Sequence, residues 1–453
     1  VRHLLNMTSG VVFNEAGSIT ETDWVRGFFD SLVLTPPGKT FHYNSMNSYI
    51  LSAILKKITG VGLMEYLTPR LWEPLGVKNV FWELSPSGIE KGGWGLYIIP
   101  EDLAKIGQLY LQGGIWNGKQ LISREWIEAA TSKKVTAPQG FGDFNYGYHI
   151  WVGRQQHCYL FNGMFGQNMI CFPDTDMIII ENAGNNEMFQ QSDFFRLVKK
   201  YFGKNFRPGA AQPFHSRETE QLRIAKENLR YYKMGRSKLP VEKCCRAIDG
   251  LKCVTEQAQA STAGLLPLII QVLQNNYTTG IHKFSFHYNT DGEEPVLYWE
   301  VEECGQTKVV PIGFEKPEYT TINFNGERYL AGIHGRFTRV SVLNYLEVDE
   351  ECAENDVYDA LELRISYIEM ANSRTIRFIF TNDGSVFVRF NEYPDSNFIL
   401  LNLEYFTLER MKGKGKLTEQ FANKVYNDVF KARIRAALDL DIKYKIESKM
   451  LDE

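Results

Sequence analysis

Apolar residues recur at helical spacing through Ile50, Leu51, Ile54, Leu55 and Ile58, a period that predicts an amphipathic helix. Asn44, Ser45 and Asn47 stand before it as polar cap candidates and Gly60 follows as a stop, so the helix begins just after Tyr43. A second helix follows Pro100, which suits a first-turn position, with Glu101 and Asp102 near the positive end of the dipole. Leu103, Ile106, Leu109 and Tyr110 share one face of it, and Gly113 and Gly114 end it. The pattern then shortens. Cys158 to Phe161, Met169 to Phe172 and Met177 to Glu181 read as strands, bounded by Asp174-Thr175-Asp176 and Ala183-Gly184-Asn185-Asn186, and turns of that kind predict antiparallel pairing.

From Lys204 to Glu220 periodicity is lost and Pro208, Gly209 and Pro213 accumulate, as in a linker. Helical segments run on to about Asn276. Beyond them, Lys283 to Tyr288, Val296 to Val301, Lys308 to Phe314, Thr320 to Phe324, Leu361 to Ile368, Thr375 to Phe380 and Ser385 to Phe390 alternate and are separated by turn residues. That spacing predicts a β-sandwich or barrel. A tail helix is expected from Phe421, Val425, Phe430, Ile434 and Leu438, after the solvated basic turn that begins at Met411. The expected fold class is therefore α+β: a mixed domain over 1–203, a linker and helical connector over 204–280, and a β-rich domain with a terminal helix over 281–453.

Composition narrows the partners. The 453 residues are 44% hydrophobic, 13% aromatic and 23% charged, which places the chain among globular proteins rather than disordered or fibrous ones. A net charge of -4, from 50 basic and 54 acidic side chains, gives no field that favours nucleic acid or an anionic membrane. The longest apolar run, Ala263 to Ile270, is broken by Pro267 and falls far short of the roughly 20 residues of a transmembrane helix. Seven cysteines without a C-x-x-C pair argue against a disulfide framework and against a zinc site. Thiols in a reducing compartment are expected, hence a cytoplasmic location. Val1-Arg2-His3-Leu4-Leu5 has neither an initiator Met nor a signal-peptide pattern, so the chain is expected to begin inside a larger protein.

Candidate chemistry is sparse. G-x-S-x-G, H-E-x-x-H and G-x-G-x-x-G are absent, and Gly38-Lys39-Thr40 lacks the upstream glycine of a phosphate loop; no metal or cofactor is called for. Two segments remain: Phe41-His42-Tyr43-Asn44-Ser45 at a helix start, and Phe161-Asn162-Gly163-Met164-Phe165-Gly166-Gln167. Positive potential at a helix N-terminus suits Tyr43 to proton transfer, although a structural tyrosine fits the same position. Gly163 and Gly166 permit close approach of a backbone N–H to a ligand, as an oxyanion donor requires, although an ordinary turn also fits. In the β-rich half, His287, Tyr288, Trp299, Phe337 and Tyr345 stand at core-compatible spacing.

These segments occur in a telling order: Val1 to Gly10, Pro37 to Ser45, Gly60, Pro100 to Gly107 and Phe161 to Gln167. Together they resemble the serine hydrolases related to class C β-lactamases and penicillin-binding proteins, especially the esterase-like and amidohydrolase-like bacterial branches. The resemblance covers about residues 1–203 and implies a β-lactamase-like antiparallel sheet flanked by helices. It further implies that Tyr43 relays protons, that Asn44 or Ser45 is the polar residue after it, and that Phe161-Asn162-Gly163 takes the place of the K-T-G strand, with the N–H of Met164 as oxyanion donor. Asn44, Ser45, Phe161, Asn162 and Gly163 are thereby substrate-binding candidates. Phe161 stands where the family has a cation, which disfavours a β-lactam carboxylate; with Tyr148, Trp151 and Phe165 it suggests an aromatic pocket for uncharged amides or esters. No serine is followed by lysine three positions later, so the family's Ser-x-x-Lys nucleophile is expected before Val1. The resulting expectation is a serine hydrolase of small amides or esters acting through an acyl-enzyme, with a homo-oligomer conceivable. The alternative is a catalytically inactive binding or scaffold protein of the same fold.

Overall fold

The computed structural model describes residues 1–12, 22–185, 193–209, 216–228, 235–257, 260–291, 295–341, 357–395, 397–398, 435 and 439–449. Two compact units, 1–210 and 211–453, each have their own sheet. In the first, helices α1 (Trp24–Phe29), α2 (Met46–Thr59), α3 (Pro100–Leu111), α4 (Arg124–Ala130) and α5 (Asp193–Phe202) accompany strands β1 (Phe144–Tyr146), β2 (Trp151–Gly153), β3 (Tyr159–Gly163), β4 (Gln167–Phe172) and β5 (Met177–Asn182). The strands form one antiparallel sheet in the order β5-β4-β3-β2-β1.

Local chemistry sets the boundaries. Asn44 starts α2: its Oδ1 accepts from the N–H of Met46 at 2.9 Å, satisfying one of the orphan donors of the first turn. Gly60, at φ +79°, closes α2 in the left-handed conformation that glycine adopts without strain. Pro100 occupies the first turn of α3, with Glu101 and Asp102 beside it. Alternation in β3 and β4 then sorts side chains to two faces. Leu160, Ile170 and Phe172 pack with Phe41, Trp151 and, from α5, Phe194, Phe195, Val198 and Phe202. Tyr159, Phe161, Met169 and Cys171 pack on the opposite face, against Leu103, Ile106 and Tyr110 of α3. Each large apolar side chain buried in this way contributes about 1.5–3 kcal/mol.

In the second unit, helices α6 (Arg217–Asn228) and α7 (Val241–Ile248) lead into a ten-stranded antiparallel sheet. Its strands are β6 (Leu251–Val254), β7 (Lys283–Asn289), β8 (Val296–Glu303), β9 (Gln306–Ile312), β10 (Glu318–Phe324), β11 (Glu327–Ser341), β12 (Val357–Tyr367), β13 (Ser373–Phe380), β14 (Ser385–Tyr393) and β15 (Leu440–Lys449). Every strand pairs with its sequence neighbour except at one seam, and β15 returns to pair with β6. The result is a nearly closed up-and-down barrel, which decides between the two β architectures that the sequence left open. At the seam between β9 and β10, Gly313 bridges directly to β11, and Gly335 makes the approach possible: a Cβ there would lie 2.5 Å from Ile312.

Phe284, Phe286, Trp299, Phe378 and Tyr444 fill the interior with edge-on ring contacts, and Trp299 and Phe337 are core residues while His287 is exposed. The 204–280 connector thus holds α6 and α7 and also a barrel strand, β6, followed by helix α8 (Leu268–Gln274). The expected tail helix from Phe421 to Leu438, and Tyr345, lie outside the described residues. Among the described residues no helix is long and apolar enough to cross a membrane.

Candidate active site

Tyr43 sits half-buried just before α2. Its ring lies nearly parallel to that of Trp151, with centroids 5.8 Å apart, and meets Tyr146 edge-on at 6.3 Å. Burial pushes the Tyr146 phenol well above the ordinary tyrosine range, with the Tyr43 phenol adding to the effect, so Tyr146 is a neutral wall. Trp151 pairs with Leu160 across β2 and β3. Tyr43 therefore stands on the sheet face that carries Leu160 and, two residues or about 6.6 Å further along β3, Asn162.

The ladder between β2 and β3 stops at Tyr159 and Leu160, whereas on the other edge β4 pairs as far as Gly163. Gly163 opposes Gln167, leaving Met164, Phe165 and Gly166 as the turn. Phe165 at φ +64° and Gly166 at φ +86° bend the chain sharply, and their carbonyls accept from Asn185 at 3.2 Å and Ala183 at 3.0 Å. Phe165 is buried and Met164 is exposed. The turn is thus held from behind by the chain that follows β5, with Met164 at its outer corner.

The remaining candidates separate. Asn44 is buried and occupied at the start of α2; Ser45 is the cap residue itself, although its side chain makes no capping bond. Phe161 points to the opposite face from Tyr43 and meets Tyr110 edge-on at 5.3 Å. Tyr148 stacks on Trp126. Of the four aromatics expected to form a pocket, Trp151 is the one whose ring stacks on Tyr43.

Two groups escaped the sequence reading. Asn162 Nδ2 donates to Asn168 Oδ1 at 2.6 Å, and Asn168 Nδ2 donates to Glu181 Oε2 at 2.7 Å. Their signal was available: Asn168 and Glu181 are polar residues inside otherwise apolar strands, but only the register, which sets both opposite one another, reveals the chain. His149, left-handed at φ +58°, anchors the N-terminal segment, its N–H donating to Leu5 O at 2.8 Å and its Nε2 lying 3.4 Å from Ser48 Oγ. Desolvation lowers its pKa to about 4, partly opposed by a backbone hydrogen bond at Leu4.

Residues 1–181 match the Beta-lactamase family model. A 6-aminohexanoate-dimer hydrolase of Paenarthrobacter ureafaciens is 27% identical over 150 residues, which are 31% of this chain and 38% of that protein; the chain spans well under half of that relative. Among solved structures, a Bacillus anthracis protein provisionally described as a 6-aminohexanoate-dimer hydrolase is 20% identical with a TM-score of 0.39, over 51% of this chain and 62% of that one. The octameric penicillin-binding protein homologue of Pyrococcus abyssi is 16% identical with a TM-score of 0.33, over 84% of this chain and 76% of that one. Over residues 1–181 the chain is thus similar to β-lactamase-related proteins.

Proposed function

We propose that the N-terminal unit provides the proton-relay and oxyanion side of a serine hydrolase site that cleaves a small amide or ester through an acyl-enzyme. The observation that carries this reading is the placement of Tyr43, half-buried and stacked on Trp151, on the same sheet face as Asn162 and hence near the Gly163–Met164 turn. In this reading the Tyr43 phenol passes a proton between nucleophile and leaving group, and the Met164 N–H stabilises the tetrahedral oxyanion. Gly163 and its neighbours form the strand along which the acyl group lies. The 27% identical relative is named for hydrolysis of a 6-aminohexanoate dimer, which supports a small substrate.

None of the 453 residues belongs to a Ser-x-x-Lys pair, so the reading concerns the protein that contains both halves of the site. That absence favours a second reading, a non-catalytic binding protein on the same fold. Treating the full-length protein with a fluorophosphonate and mapping the adduct separates the two. One labelled serine, lost on prior heating, is expected; a protein that takes up no label is the binding protein.

A further inference from the structure

His149 is held between two elements. Toward the short helical turn Arg2–Leu5, its backbone N–H donates to Leu5 O at 2.8 Å and its ring hydrogen-bonds the backbone at Leu4. Toward α2, its Nε2 lies 3.4 Å from Ser48 Oγ. From the Arg2–Leu5 turn the chain runs straight into the wall of the candidate site. Thr8 N donates to His3 O at 2.8 Å, and the carbonyls of Met7, Thr8 and Gly10 accept from His42 at 2.8 Å, Gly38 at 2.8 Å and Leu34 at 2.9 Å. Met7, only 2% exposed, packs in one cluster with Phe41, Tyr43, Tyr146 and Trp151. The stretch 34–42, which leads directly into Tyr43, therefore takes its backbone partners from residues 7–10.

The two elements against the ring are unequal. Helix α2 buries Met46, Asn47, Tyr49, Ile50 and Ser52, whereas Arg2–Leu5 buries no residue. A charge on the ring needs water, and the turn is the element that can be displaced to admit it. The charged and titratable groups on the surrounding stretches are Arg2 and His3 on the turn, Tyr148 beside His149 with Lys134 at 5.1 Å from its ring, and Lys56 and Lys57 more than two turns along α2. None of them is a carboxylate that could pair with an imidazolium. Desolvation accordingly lowers the His149 pKa to about 4, opposed by the bond at Leu4. We infer that His149 is the catch of an acid-sensitive latch: protonation of its ring releases the N-terminal segment and with it the 34–43 stretch that positions Tyr43, while the sheet stays folded. The inference holds whether the site reacts or only binds, because either use needs Tyr43 in place.

The closed segment excludes the proton and the open one admits it. With the ring titrating at about 6.5 when open and about 4 when closed, the opening equilibrium is constant above about pH 6.5, grows about tenfold per pH unit below it and levels off below about pH 4. Hydrogen exchange of this chain, followed by mass spectrometry and corrected for the intrinsic pH dependence of amide exchange, tests the latch without any catalysis. Peptides containing Leu34, Gly38 and His42 are expected to lose protection about 70-fold between pH 7.5 and pH 4.5, while peptides from β3 and β4 change by less than about threefold. His149→Asn keeps His3 and His42 but has no ring to protonate at this position. In it the same peptides should be less protected at pH 7.5 and should change by less than about threefold on acidification. His149→Gly also suits the backbone at φ +58° and is the second non-titrating variant should the first fail to fold. Unchanged protection of these peptides in the wild type, an equal loss in the variants, or a loss shared by β3 and β4 each overturns the latch.

Discussion

Both units bury polar side chains, but they direct them differently. In the N-terminal unit Glu181 and Asn168 hand their polarity along to Asn162, a half-buried residue at the end of a strand whose outer ladder has stopped. In the barrel the polar groups close on the chain's own backbone. Arg374, fully buried, pairs with Glu392 at 3.1 Å and donates from Nε to Gly264 O at 3.0 Å. Glu392 accepts from Leu268 N at 2.7 Å, Glu303 from Leu265 N at 3.3 Å, and Tyr367 donates to Leu265 O at 2.9 Å. The segment so held, around Gly264 to Leu268, is irregular backbone buried in the barrel unit, and without these partners its N–H and C=O groups would be orphaned. A buried charge is thus a poor sign of a ligand site by itself. What matters is whether its last partner is the protein's own backbone or a residue beside open strand.

The sharpest way to break that contrast is at Tyr43. If it belongs to an open reaction site, Tyr43→Phe keeps the ring stacked on Trp151 and removes only the phenol oxygen, so melting should barely move. On the hydrolase reading, turnover by the protein that carries both halves of the site should fall about 100-fold to 10,000-fold, equivalent to roughly 3–5 kcal/mol of barrier. Retained activity with about 1 kcal/mol of lost stability would make Tyr43 a structural residue like its neighbour Tyr146.

In the barrel the opposite signature is expected. Arg374→Met leaves the Glu392 carboxylate buried without its counter-charge and Gly264 O without its donor, and should destabilise the second unit by about 3–5 kcal/mol. Burial already pushes the Glu392 carboxyl above the usual carboxylate range, and removing the cation takes away the largest influence that opposes desolvation, leaving the backbone N–H groups of Leu268 and Ile269. Adding Glu392→Gln, which removes the charge but keeps an oxygen for Leu268, should recover part of the loss, giving a non-additive cycle in urea unfolding. Additive costs would mean that the pair does not act as one clamp.

How far the sequence foretold this contrast follows from range. Helices α2 and α3 and strands β3, β4 and β5 were legible because periodicity, caps and turn residues are local, and the seven barrel strands with clean alternation were legible for the same reason. Strand β11 was missed: Gly332, Gly335 and Arg336 interrupt its apolar pattern, although Gly335 is what lets the seam approach. Strands β6 and β15 were missed, and their pairing with each other, which brings the two ends of the sheet's sequence together, spans almost the whole unit, so the choice between sandwich and barrel could not be made from the sequence. At the candidate site, Tyr43 and the Gly163 segment stood out through an ordered set of motifs. The stacking on Trp151, the Asn162–Asn168–Glu181 chain and the opposite facing of Phe161 all depend on register and on contacts distant in sequence.

His149 supplies the smallest and most specific test, because it concerns how the first unit holds its N-terminal segment in place beneath α2. The ring is desolvated between Leu4, Leu5 and Ser48, and its pKa falls from about 6.5 when unfolded to about 4 when folded. The folded protein therefore prefers the neutral ring, and the unfolded chain binds the extra proton first as pH drops. The stabilisation associated with the neutral ring is complete above about pH 6.5 and is lost progressively down to about pH 4. At about 1.36 kcal/mol per unit, the gap of roughly 2.5 units corresponds to about 3 kcal/mol. Carboxylates titrate over the lower part of the same range, so the measurement is a difference: urea unfolding of wild type and His149→Asn at steps between pH 7.5 and pH 4.5. Asn tolerates the left-handed backbone at this position and does not titrate. The variant is expected to be the less stable at pH 7.5, with the deficit shrinking as the solution is acidified. A deficit that stays constant across the range would show that the ring supports the segment through contacts that do not depend on its ionisation, since the backbone bond to Leu5 is kept in both proteins.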